Sequence, residues 1–166
     1  MHFFARSFLS LFLLIALPFQ TAAQTTEIPF GNLRQDTSLP VEISAERLEV
    51  DQAEGTAMFS GNVVVGQGDM RLKADRIQVI YAAGDDRGRI ARLEAAGNVV
   101  LVSGAEAAEA ERAIYTIESG QVVMEGNVIL TQGGNALSSE RMLVNLKDGT
   151  ALLEGRVRTI LNPGGN

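Results

Sequence analysis

The chain contains no cysteine, and its one histidine, His2, lies at the extreme N-terminus. Without these residues a protein lacks the usual zinc ligands, a thiol nucleophile and a histidine base, so neither enzymatic activity nor a cofactor is expected. Without disulfides, stability must come from packing and strand pairing. Basic residues are also scarce, 14 Lys and Arg against 20 Asp and Glu. A net charge of −6 offers no attraction to a polyanion, so nucleic acid is not an expected partner. No 3.6-residue apolar stripe persists, which argues against a helical fold. The longest apolar stretch, Phe8 to Leu17, falls short of the ~20 residues needed to span a bilayer.

That stretch follows a weakly basic start (His2, Arg6) and precedes the small residues Thr21-Ala22-Ala23, so residues 1–23 read as a secretory signal peptide cleaved near Ala23. Cleavage leaves 13 basic and 20 acidic residues, in a chain long enough for one domain with its own core. Residues 24–40 mix Thr, Gln, Asn and two prolines without periodicity and read as a flexible lead-in. The residues after Leu161, 162–166, read as a flexible tail, which leaves 41–161 as the folded domain.

Within that domain two short patterns recur. One is Ala45-Glu46-Arg47, Ala74-Asp75-Arg76, Ala110-Glu111-Arg112 and Ser139-Glu140-Arg141; the other is Gly61-Asn62-Val63, Gly97-Asn98-Val99, Gly126-Asn127-Val128 and Gly155-Arg156-Val157. The step from the second pattern to the next copy of the first is always 13 residues; the return step is 16 three times and 23 once. The period is therefore 29 residues, with a seven-residue insertion near Ala82 to Gly88 that reads as a surface loop. Four units of this size predict an array in which each unit completes its neighbour's core.

The units are strands. Apolar residues alternate with polar ones, as in Val41, Ile43, Ala45 and in Met70, Leu72, Ala74. Counting from the Ala or Ser of each acidic-Arg unit, the third, fifth and seventh positions are Leu48, Val50, Gln52; Ile77, Val79, Tyr81; Ala113, Tyr115, Ile117; and Met142, Val144, Leu146. Eleven of these twelve are apolar, so one face looks inward and the other at water. Ala105 to Ala113 is helical by propensity, but its Ala-Glu-Arg shares the register of the other copies, so strand is expected there. Glu54-Gly55, Gly66-Gln67-Gly68, Ser119-Gly120, Gly133-Gly134-Asn135 and Asp148-Gly149 read as turns.

Four acid-Arg pairs at equivalent positions read as corner salt bridges rather than as four catalytic or metal sites, and the Gly-Asn-Val copies as turns leading into strands. Asp85-Asp86 lacks the further oxygen ligands that calcium requires. Tyr81 and Tyr115 fall in the apolar register and read as packed rings with hydrogen-bonded hydroxyls. The apolar interior itself leaves two readings open, a plain packed core or a space kept partly open for a lipid.

The run Met58-Phe59-Ser60-Gly61-Asn62-Val63-Val64-Val65-Gly66-Gln67-Gly68, followed by Leu72-Lys73-Ala74-Asp75-Arg76-Ile77, resembles the OstA-like family of periplasmic lipopolysaccharide-transport proteins. The resemblance extends from Pro40 to about Ile160. It implies an all-β fold, an open-ended β-jellyroll of stacked antiparallel strands with an apolar groove. It further implies binding of lipopolysaccharide by its lipid A acyl chains, and head-to-tail self-association between inner-membrane-anchored and outer-membrane components. By match with the family's lipid-contacting face, Val41, Ile43, Tyr115 and Ile117 are the expected lipid contacts; by internal repeat, Leu48, Val50, Ile77, Val79, Met142 and Val144 join them. A membrane-anchored sibling of the same transport system and a β-repeat protein with no lipid ligand are the competing expectations.

Overall fold

A computed structural model describes residues 26–29 and 34–162. The expected signal peptide, its cleavage site and the tail beyond residue 162 lie outside these. The described chain is all-β: β1 (Thr26–Pro29), β2 (Glu42–Ser44), β3 (Arg47–Asp51), β4 (Thr56–Gln67), β5 (Met70–Tyr81), β6 (Ile90–Ser103), β7 (Glu106–Thr116), β8 (Gln121–Gln132), β9 (Asn135–Asn145), β10 (Thr150–Glu154) and β11 (Arg158–Ile160). All pairings are antiparallel, and from β4 to β10 each strand pairs with its successor in sequence. β2 and β3 both pair with β4 at one end of the sheet. At the other end β11 pairs with β9, and β1 pairs with β10.

The alternation read from the sequence is the register of this sheet. Val50, Ala57, Val79, Leu93, Tyr115, Val122, Val144 and Ala151 stand opposite one another on successive strands, forming one rung. Leu48, Phe59, Ile77, Ala95, Ala113, Met124, Met142 and Leu153 form the next. A third rung, Ile43, Val65, Leu72, Leu101, Ala108, Leu130 and Leu137, lies beyond an irregularity that crosses the sheet at one level. Ala105 to Ala113 falls almost wholly within β7, where pairing on both sides overrides local helix propensity.

The irregularity is built from the two sequence patterns. The register shifts between Ser60 and Val63 on β4 and recurs at the equivalent place on each later long strand. Gly61, Gly97, Gly126 and Gly155 have φ of +79 to +86°, and the residue after each has φ of +43 to +48°. Two successive left-handed residues bend a strand sharply. On the acidic-Arg strands the bend puts two consecutive residues outside: Ala74 and Ile77 are buried while Asp75 and Arg76 are exposed, and Ala110, Glu111, Arg112 and Ala113 repeat this. The expected turn at Gly-Asn-Val is thus corrected to a bend, within β4, β6 and β8 at the first three copies and between β10 and β11 at the fourth, because the left-handed pair turns the chain and antiparallel pairing resumes beyond it.

The expected acid-Arg corner bridge is corrected too. Asn62 donates its side-chain amide to Glu46 (2.5 Å), Asn98 to Asp75 (2.9 Å) and Asn127 to Glu111 (2.6 Å). At the fourth corner Arg156 takes the place of Asn and pairs with Glu140. The acid reaches across to the bend of the neighbouring strand, while Arg112 and Arg141 join a separate ladder in which they flank Glu125 and Arg141 also meets Glu154.

Candidate functional site

Bending every long strand at the same level folds the sheet over itself. Tyr115 lies near the far end of β7 from Glu106, about 30 Å along an extended chain. Gln67 pairs with Met70 at the Glu106 end of the sheet. Yet the Tyr115 hydroxyl donates to Gln67 Oε1 over 2.6 Å, so the two halves of the sheet face each other across a common interior. Burial pushes the Tyr115 hydroxyl pKa up to about 12.

This interior places the expected contact residues in three groups. Ile77, Val79, Tyr115, Met142 and Val144 are sealed within it at 0 % exposure. Val41, Ile43 and Ile117 are partly buried and packed against its rim. Leu48 and Val50 stand on the inner rungs but are 52 % and 61 % exposed. Burial was expected for them by repeat; they lack it because β3 lies at the end of the sheet, with no further strand and no facing half among the described residues to cover them. In the described structure the interior is mainly a packed core, with a seam where the lips of the two halves meet.

Residues 34–40 run along that seam. The sequence read 24–40 as a flexible lead-in; the described parts of it are hydrogen-bonded, β1 to β10 and the later residues to both lips. Gln35 N–H donates to the Leu146 carbonyl on one lip (2.8 Å), and Gln35 Nε2 to Ser103 Oγ on the other (3.0 Å). Gln67 Nε2 donates to the carbonyls of Thr37 (3.0 Å) and Leu39 (2.8 Å). No periodicity marks such a segment, because its partners are side-chain amides and turn carbonyls instead of a regular ladder. Beneath it opens a cavity of about 590 Å³, lined in part by Leu39, Val41, Ile90 and Ile117. That volume lies within the ~300–1,000 Å³ range of ligand sites.

Sequence reasoning missed the polar rung at this lip. Gln67, Ser103 and Glu106 are at most 3 % exposed, and Gln132 donates to Glu106 Oε1 over 2.9 Å. Gln67 lies between two glycines and so reads as a turn, yet it ends β4, and the turn itself falls at Gly68 and Asp69.

Residues 42–150 match the family described as the LptA/LptD N-terminal domain LPS transport protein. The chain belongs to this family. Within the wider similarity, protein R00383 of Rhizobium meliloti (strain 1021), which carries no assigned function, is 33% identical over 108 residues, covering 62% of this chain and 58% of that protein. The lipopolysaccharide export system protein LptA of Escherichia coli (strain K12) is 31% identical over 58 residues, 35% of this chain and 31% of LptA. The matched stretches thus span less than two thirds of both relatives. Among solved structures, LptH, described as the LptA homologous periplasmic component of the lipopolysaccharide transport device of Pseudomonas aeruginosa, aligns with a TM-score of 0.69. At 17% identity, covering 78% of this chain and 99% of LptH, that likeness shows the fold, which is the jellyroll-like all-β architecture expected for an LptA/LptD N-terminal domain protein.

Proposed function

We propose that this chain is an exported periplasmic protein that binds lipopolysaccharide, shields the acyl chains of lipid A along its apolar inner face, and joins head to tail with further copies and with membrane-bound components at either end. The carrying observation is the unbroken apolar inner face in a chain of a lipopolysaccharide-transport family. It runs from the exposed Leu48 and Val50 at one end, through Ile77, Tyr115 and Met142, to Leu153 at the other. Exposing an acyl chain of about 14 carbons to water costs roughly 11 kcal/mol at ~0.8 kcal/mol per CH₂, so unaided transit through an aqueous compartment is negligible. An apolar path of repeated rungs offers near-equal affinity at successive positions, which suits movement. The acidic chain holds such a lipid by its tails, since its surface does not attract phosphates.

The two ends support the assembly. β3 leaves one edge without a strand partner among the described residues, beside exposed Leu48 and Val50; at the other end Ile160 and Leu161 are 61 % and 67 % exposed. Unpaired edges invite pairing with another chain, and unlike ends make a heterologous contact that propagates. Periplasmic placement rests on the signal-peptide reading of residues 1–23 and on family membership.

Site-specific photo-cross-linking tests this function. Cross-linkers at Ile43 and Tyr115 should capture lipopolysaccharide in cells, whereas outward positions such as Lys73 should not; the reverse pattern overturns the proposal. A mature N-terminus at Gln24 separates it from a membrane-anchored sibling, which would keep Met1.

A further inference from the structure

We infer that the cavity beneath residues 37–39 is the port through which an acyl chain enters the interior, and that Gln67 latches this strap over it. The inference rests on the lipid-binding reading above and adds the site of entry and the residue that guards it. The sealed rungs cannot be reached without parting the two halves, whereas the seam already holds a cavity of mixed lining, with Val41, Ile90 and Ile117 among its apolar walls and Arg89, Thr116 and Glu118 among its polar ones. Leu39 lines that cavity from the strap and is 42% exposed, an apolar side chain without full cover.

The strap is lightly held. Apart from Gln67, only Gln35 ties it to the sheet among the described residues, its N–H donating to the Leu146 carbonyl and its Nε2 to Ser103 Oγ, and its turn is internal, with Asp36 accepting from the backbone N–H and hydroxyl of Ser38. The remaining hold on Thr37 and Leu39 is the Gln67 amide, whose own oxygen is fixed by Tyr115. Gln67 therefore joins two surfaces: its amide hydrogens face the strap and its oxygen faces the interior, where the apolar rungs end. A tail that enters beside Tyr115 displaces the ring, frees Gln67 and releases the strap, so strap seating and lipid occupancy exclude each other. Gln67 is a positioning residue, acting on the lipid through the strap.

The chain has no cysteine, so a single Ser38→Cys substitution carries a spin label on the exposed side of the strap. Saturating the full-length mature protein with purified lipopolysaccharide should convert the label from an ordered to a mobile spectrum. Gln67→Leu should produce the mobile spectrum without lipid and raise the association rate of lipopolysaccharide several-fold. Should Gln67→Leu fail to fold, the label on the otherwise unaltered protein still decides the matter. A label that stays ordered while a cross-linker at Ile43 captures lipopolysaccharide overturns the strap and leaves the lipid function standing. An absence of captured lipopolysaccharide at Ile43 overturns both.

Discussion

Tyr115 and Gln67, 48 positions apart and on strands that are not neighbours, are joined by a 2.6 Å hydrogen bond across the interior. The bond ties the far end of β7 in one half to the lip of the other. It is also the route from the interior to the strap, because Gln67 accepts from Tyr115 through its oxygen and donates its amide hydrogens to Thr37 and Leu39.

Tyr115→Phe leaves Gln67 Oε1 buried without its donor. The expected loss is about 1–3 kcal/mol, read by urea unfolding. The same residue sets an alkaline limit. Its folded pKa is about 12 against an ordinary 10.0, so below pH 10 the hydroxyl is protonated in both states and its contribution is fully present. As pH rises from 10 towards 12 the unfolded chain releases the proton while the folded chain holds it, and stability falls. Tyr115→Phe should flatten that part of the pH profile; an unchanged slope would show that another group is responsible.

Gly126→Ala places a Cβ 2.6 Å from Glu111 Oε2 on a backbone with φ +86°. Backbone strain and the clash together should cost about 1–3 kcal/mol. In a Glu111→Ala background the contact with the carboxylate disappears, while the 2.8 Å approach to the Cβ of residue 111 and the strain remain, so a double-mutant cycle by thermal unfolding should show the two changes to be partly non-additive.

At the fourth corner, Arg156 holds φ +43° and pairs with Glu140 where the other copies carry Asn. Its side chain is 89% exposed, and exposed ion pairs contribute little. Asn adopts the left-handed region more readily than Arg. Arg156→Asn should therefore be neutral or slightly stabilising, within about 0.5 kcal/mol of no change, with no dependence on salt concentration.

Val50→Lys tests the proposed assembly edge. Val50 is 61% exposed, so the substitution should leave the unfolding midpoint nearly unchanged. A charge on an open edge strand opposes pairing with a second chain. Sedimentation at high protein concentration should then show shorter assemblies than the unaltered protein forms; equal lengths would place the contact elsewhere.

The strands, their inward faces and the spacing of the corners can be read from the chain alone, because a side-chain period of two and a fixed 29-residue repeat are local properties. Ile77, Val79, Tyr115, Met142 and Val144 are legible as interior for this reason. Contacts made across the fold are not local and are set only once distant strands have come together. Glu46, Asp75 and Glu111 choose an asparagine on the neighbouring strand over the adjacent arginine, because the bend turns each acid towards its neighbour. Leu48 and Val50 carry the interior pattern yet meet solvent, because burial depends on a covering layer that ends before β3. The strap over the seam carries no pattern, since Gln35 and Gln67 find their partners only once the sheet has folded and brought its two lips together.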